Sequence, residues 1–520
     1  MKIAITHRSR GFAAVASALA VSLCTAAGAA ATTTAAWAGA GSNVNWSTAA
    51  NWGAGGAPSG SVDVLMLPAS GSSCVGWACS YAVDDIPALT VGSLEMDSSA
   101  DYLVAPMSSG DSLALTGGLT FGTNSQESGG RLLTTMIVPL SLGAAQSWSV
   151  NGVPGTPTQL TLGAITGEPY PLTVDLADGV ALQAPELDTG PLTISGAGIV
   201  SLAGQTATPA DGTPVNPPPL IGPQGVALAN GASLVFNSPG TVSGPISVAR
   251  GSYTTIEVGH GVAPDGTVVV NGNVTLRATS TLAQWIDQPA VAARTARPGH
   301  AIPARPQPSS DYSQLVALGD VALNGAGLNL AQGYSDTQVS CATMTGGQTY
   351  TLLSATQLTG TFAGVANGQV VPLGACNPAA TGPSYAVIIA YNTTRRPETV
   401  TATIVGPAQI RSEVTRALAV SAVTSLFTVL SRGGYTATFN APADGTLALT
   451  WRARVRGRLV TVASGSNTAG QVGPRRVPIK LTAAGRALLR RSASVTLTAT
   501  ADFTPTGQSA VIVSRPIRLG

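Results

Sequence analysis

The chain has 520 residues, 44% of them hydrophobic and only 10% charged, with 61 glycines and 35 prolines. That balance excludes a disordered chain and fits many short strands broken by tight turns. Lysine occurs only at Lys2 and Lys480, which excludes a Gly-x-x-x-x-Gly-Lys phosphate loop, and the net charge of +2 conceals two opposed halves.

Residues 1–38 read as a Sec-type signal peptide. Lys2, Arg8 and Arg10 make a positive start, an apolar run follows from Phe12 to Leu23, and Ala36–Ala38 offers the small-x-small pattern of a cleavage site. The apolar run is too short to span a membrane, and no later stretch is long enough. The expected location is secreted, extracellular or at the cell surface. Cys74, Cys79, Cys341 and Cys376 then remain, as two local pairs. In an exported chain such pairs form disulfides, here Cys74–Cys79 and Cys341–Cys376. A zinc site would need all four together or histidine help, and the histidines are His7, His260 and His300. No metal or other cofactor is expected.

Residues 39–110 read as an N-terminal cap with the first coils. Trp46 and Trp52 lie in a glycine-rich run, and Trp77 lies between Cys74 and Cys79. Exposed coplanar rings would make a sugar-stacking platform. A strand array has another need: its first layer would otherwise meet water and present an open edge. We read the three tryptophans as the lid that closes that end.

From 111 to 404 apolar alternation recurs, ending each time in a small or polar turn residue, as in "LALTG", "LTLGA", "LTISG", "LVFNS", "VVVNG" and "LVALG". The spacing is irregular. Alternate Leu, Val and Ile side chains would face inward and small residues would turn the chain. We read an irregular right-handed β-helix, over the other arrangement the pattern allows, a row of separate β-sandwiches. Proline-rich stretches near 209–225 and 287–310 cannot hold a ladder and are expected as exposed loops.

Residues 405–433 carry apolar positions at 410, 414, 418, 422, 426 and 430, a row that predicts one or two short helices with one buried stripe. Residues 434–520 alternate as strands of a small basic β-sandwich, with a helical crossover at "KLTAAGRALLRR". The fold class is therefore all-β: a β-helix, a short helical segment and a β-sandwich. From Val405 onward fifteen basic residues face three acidic ones, whereas the stretch between the signal and Ile404 holds eight against twenty-one. "WRARVRGR" places Arg452, Arg454, Arg456 and Arg458 at alternate positions, on one face if the strand runs through them. Four like charges on one face repel; the face either solubilises the domain or docks on the chain's own acidic β-helix, or it binds an anionic envelope polysaccharide or glycan that relieves the repulsion.

The run "NWSTAANWGAGGAPSGSVDVLML", through Trp46, Asn51, Trp52, Pro58 and Asp63, resembles the opening of autotransporter-like β-strand-repeat passengers. The segment 341–404, with Gly347, Tyr350, Leu352, Gly360, Phe362, Gly364, Gly368 and Tyr391, looks like the coil that ends such passengers. The C-terminal region, through "LTAAGRALLR", is similar to small sandwich domains of secreted actinobacterial proteins. The resemblance implies a β-helical bacterial surface protein and no particular activity. It departs at "RPIRLG", where an autotransporter would continue into a membrane barrel, so self-translocation is not expected.

Signatures of catalysis are sparse. His260 and His300 sit in glycine- and proline-rich surroundings, poor places for a rigid base. A lyase would need clustered carboxylates for calcium and a cationic base, and Asp84–Asp85 is the one adjacent acidic pair. A hydrolase would need two carboxylates on one groove. We therefore expect a non-enzymatic surface or envelope protein, a stalk or display and adhesion scaffold with no nucleic-acid partner. A polysaccharide lyase or hydrolase on the same fold, or a carbohydrate-binding module, is the alternative.

Overall fold

The structure is a computed structural model. It describes residues 33–67, 81–97, 102–122, 132–152, 157–203, 219–259, 266–286, 312–332, 346–373, 385–419, 425–469, 473–506 and 509–520. Residues 1–32, the five cysteines, Trp77, the histidines and residues 287–310 lie outside these residues. Among the described residues no helix is long and apolar enough to cross a membrane. The chain is all-β, with large parallel sheets followed by one curled antiparallel sheet.

The parallel part is built by recurrence. Ile165–Gly167, Leu172–Leu176 and Val180–Ala184 pair, in the same order, with Leu187–Thr189, Leu192–Gly196 and Ile199–Leu202. Each strand thus pairs with one a circuit away and not with its neighbour in sequence, because parallel strands need a crossover connection between them. Leu172, Leu192, Val226, Ile246, Val274, Val321 and Leu358 stand in one register, and all are buried. Each such side chain contributes roughly 1.5–3 kcal/mol by leaving water, and stacking circuits joins them into a single core.

Outward positions are ordered too. Gln159 donates from Nε2 to Gln183 Oε1 at 2.7 Å, and Ser195 Oγ donates to Asp175 Oδ1 at 2.7 Å across a separation of 20 residues. Elsewhere the register jumps: Asp320 N donates to Asn273 Oδ1 across 47 residues. The ladder is regular while the lengths between rungs are not, which is why the spacing of the sequence pattern looks erratic. Part of the expected 209–225 loop belongs to this ladder, since Ile221 bridges Leu187 and Val242 and is buried with Leu220.

Both ends change pattern. At the start, Thr34–Ala36 pairs in parallel with Val64–Met66. That strand and Trp37 lie within the 1–38 stretch read above as a signal peptide, so a cut after Ala38 would remove both. At the far end, Thr349–Ala355 takes Glu398–Ile404 as an antiparallel partner, followed by Ala386–Asn392 and Gln369–Pro372.

Two helices follow. In α1 (Pro407–Ala417), proline stands at the first turn, where its missing N–H costs nothing. In α2 (Leu426–Ser431), Ser425 accepts from Thr428 N as the N-cap. Of the expected row, Ile410, Val414, Leu418 and Leu426 are buried, Leu430 is half-buried, and Ala422 lies outside the described residues. The remaining elements are β1 (Gly434–Ala441), β2 (Gly445–Val455), β3 (Arg458–Ala469), β4 (Gly473–Leu481), α3 (Ala483–Arg490), β5 (Val495–Pro505) and β6 (Val511–Leu519). They form one six-stranded sheet ordered β1-β4-β3-β2-β5-β6, where two facing sheets were expected. The sheet curls so that both edge strands, β1 and β6, meet α1, and the helix supplies the covering layer that a second sheet would have given. Ala386 and Val405 from the end of the array share this second core with Ile410 and Val414, so the two parts join through apolar contacts.

Candidate functional site

Trp46 is fully buried and Trp52 is 5% exposed, which leaves no ring face on which a sugar could stack. Trp37 joins them, edge-on to Trp52 with ring centroids 5.2 Å apart; Trp46 meets Trp52 at 5.7 Å, also edge-on. Trp52 Nε1 donates to Trp46 O at 2.6 Å. The indole N–H groups of Trp37 and Trp46 are buried without a partner. Asn51, itself buried, explains the rest of the motif. Its Oδ1 accepts from Gly41 N at 2.7 Å, and its Nδ2 donates to Asn43 O and Asn45 O, each at 2.9 Å, so one amide ties the preceding loop. The strand is held from its other side by Asp63, whose Oδ2 accepts from Thr33 N at 2.7 Å and Thr33 Oγ1 at 3.0 Å. Those bonds, the backbone one first, hold the Asp63 carboxyl below the usual range.

The adjacent acids Asp84 and Asp85 have separate settings. Asp85 accepts from Ser47 N at 2.8 Å and Ser47 Oγ at 2.5 Å, pinning the cap to the first sheet. Asp84 is fully buried. Its Oδ1 accepts from Ile86 N at 3.1 Å, and its Oδ2 has no partner. Loss of water pushes its pKa up to about 7, helped by the charges of Asp111 and Asp85 and opposed by the Ile86 bond. A second acidic pair, Glu186 and Asp188, flanks Leu187 on the ladder. Burial raises both carboxyls, and the charge of Asp188 raises Glu186 further. Among the described residues no group of three or more His, Cys, Asp or Glu is placed to hold a metal ion.

The four arginines of "WRARVRGR" do not share a face. β2 stops at Val455, and Arg456 and Gly457 form the hairpin turn, both at positive φ (49° and 81°), as a two-residue hairpin turn of this hand requires. Arg458 then pairs opposite Val455. Arg452 and Arg454 alone remain side by side on the outer face, both exposed.

Other elements fill that face. Arg452 pairs with Thr498, and Thr496 on the same strand pairs with Arg518. A hydroxyl row runs across the sheet: Lys480 opposite Ser464, Ser464 opposite Thr450, Thr450 opposite Thr500, Thr500 opposite Ser514. Thr500 Oγ1 and Ser514 Oγ lie 2.9 Å apart. Arg476 stands opposite Thr438 on the edge strand. These cations are exposed. Of the three acids in this part of the chain, Glu413 pairs with Arg416 within α1, and Asp502 sits half-buried opposite Ala448. Lys480, Arg476 and Arg518 escaped the sequence reading, which looked within one strand; the signal that could have found them was alternation on the neighbouring strands.

No family model matches the chain, and comparison with curated proteins and with solved structures gives no match either.

Proposed function

We propose that the chain is an exported, non-enzymatic envelope protein: a right-handed β-helical scaffold carrying a basic C-terminal unit that holds it to anionic envelope polymer. The observation that carries this reading is the outer face of the C-terminal sheet. Arg452, Arg454, Arg476, Lys480 and Arg518 stand there among threonine and serine rows with one half-buried carboxylate. None of the five has an ion-pair partner among the described residues. Exposed cations spaced along a hydroxyl-bearing sheet suit a repeating anion, because each charge meets a new monomer while the hydroxyls bond to sugar or phosphate oxygens. The three-strand recurrence and its parallel registers support the β-helix. The resemblance of the two ends to autotransporter-like passengers supports placement at a bacterial surface.

The test uses the whole chain, because the two parts share a core. Co-sedimentation with insoluble polygalacturonate or purified cell wall should fall steeply with added salt, and Arg452→Ala/Arg454→Ala should weaken it by about tenfold. Binding that is indifferent to salt, or unchanged in the double variant, would refute the reading.

A further inference from the structure

A cavity of about 300 Å³ opens where α2 ends and β1 begins. Its origin is local. Gly433 stops the helix in the left-handed region (φ 69°) and carries no side chain into the gap, while Gly434 lets β1 lie close against β4, where a side chain's first carbon would meet Ile479 O. Thr428 and Arg432 form one wall, Tyr435 and Thr436 another, and Lys480 of β4 a third. Arg486 of α3 brings its guanidinium over Gly433, where Nη2 would stand 3.4 Å from a side chain's first carbon.

The chemistry of these walls is one-sided. Arg432 and Lys480 line the cavity and Arg486 flanks it, and none of the three has an ion-pair partner among the described residues. No carboxylate lines the cavity. The carbonyls at the end of α2 are already engaged: Thr428 O accepts from Arg432 N at 3.1 Å and from Ser431 Oγ at 3.1 Å, and Leu430 O accepts from Gly433 N at 3.2 Å. Tyr435 is half-buried and packs its ring on Trp451 with centroids 5.7 Å apart. Arg432 and Lys480 line one cavity that offers no carboxylate, and a bound anion would neutralise them. The volume is at the small end for ligand sites, room for one sugar ring and not for a chain.

We infer that this cavity takes a single acidic sugar unit, with its carboxylate or phosphate held by Arg432 and Lys480, the two cations that line it. The ligand class rests on the anionic-polymer reading: Lys480 belongs both to the cavity and to the outer face, so the cavity is the place where a chain laid across the sheet ends.

Titration of the full chain with glucuronate, glucose 6-phosphate and glucose at matched ionic strength tests this, read by calorimetry and by the emission of Trp451. At least one acidic sugar should bind and glucose should not. The carboxylate and phosphate arms tell which anion is preferred. Arg432→Gln/Lys480→Gln should weaken binding by about tenfold while the circular dichroism stays that of the parent, since both side chains are exposed. Arg452→Ala/Arg454→Ala should leave monosaccharide binding intact while reducing sedimentation with polymer. Equal binding of glucose, no binding of either acidic sugar, or unchanged affinity in Arg432→Gln/Lys480→Gln would overturn the inference. Loss of polymer sedimentation alone would leave it standing and point back to the outer face.

Discussion

The array and the C-terminal sheet both bury alternate residues, yet they treat the other residues differently. In Thr158–Leu162 the outward positions are only half-exposed, because each lies under and over a ladder partner from the next circuit. In β2 most outward positions are exposed, although they too lie between cross-strand partners. In the parallel stack outward side chains cover one another, as Gln159 on Gln183. In the antiparallel sheet they stand out further to solvent. The charge follows the same division. The basic residues gather where side chains stand free, and the acidic residues lie along the array, some of them half-buried or tied to neighbours like Asp175 and Asp63.

The sharpest way to break the comparison is to remove one aromatic from each core. Trp52→Ala and Trp451→Ala should each cost about 3–5 kcal/mol, the first in the array and the second in the C-terminal unit. Denaturation followed by the remaining tryptophans should show which part responds. If Trp451→Ala lowers the array as much as Trp52→Ala does, the two parts unfold as one and the division is only topological.

Next in size is the pH response of the array. Asp84 titrates at about 7 in the fold but near 3.9 when unfolded, so the folded state binds the proton more tightly. Stability should therefore be greatest at acid pH and decline as pH rises from about 4 to about 7, by roughly 1.4 kcal/mol for each pH step of one within that window, and then level off. Asp84→Asn should flatten that slope without touching the C-terminal unit. Melting curves of parent and variant across this range decide it, and an unchanged slope in Asp84→Asn would show that another group carries the response.

Smaller still is the effect of Asp63→Asn. Its carboxyl is depressed, so the support it gives is present at neutral pH and lost as pH falls below the usual carboxylate range. Protection of the Thr33 amide against hydrogen exchange, relative to its intrinsic rate, should be lower in the variant at neutral pH, and in the parent it should fall only on acidification. By contrast Arg452→Ala/Arg454→Ala should move stability by less than about 0.5 kcal/mol, since those side chains are exposed; a larger loss would mean that the outer face is structural. If the chain is exported, N-terminal sequencing of the mature protein should begin at or before Thr33.

Alternation made the strands legible, and an i, i+4 row with a glycine pair made α1 and α2 legible, because both signals are local. The circuit was not legible. The short step between Asp175 and Ser195 and the long one between Asn273 and Asp320 obey the same ladder, and residues in between dilute any period. The packing of Trp37 was not legible either, because Ala-Trp-Ala satisfies a peptidase pattern as well as it fills a core. The role of Asn51 depends on carbonyls at Asn43 and Asn45, which no pattern announces. The arginine face was half legible: alternation gave Arg452 and Arg454, while Arg-Gly at 456–457 carried a turn signal that outweighed it. The cavity beside Gly433 needs α2, β1 and β4 together and leaves no mark on any one of them.

The unequal steps of the ladder have a consequence for how such a chain can change. Partners in the ladder sense only each other's register, so what the chain does between two rungs is nearly free. Lengthening a connecting loop twofold costs about 0.6 kcal/mol in closure entropy, less than one buried valine returns. A foreign peptide spliced between Ile286 and Tyr312, or between Leu202 and Leu220, would leave every rung where it is. New surface can be acquired there one segment at a time, with the frame behind it held constant.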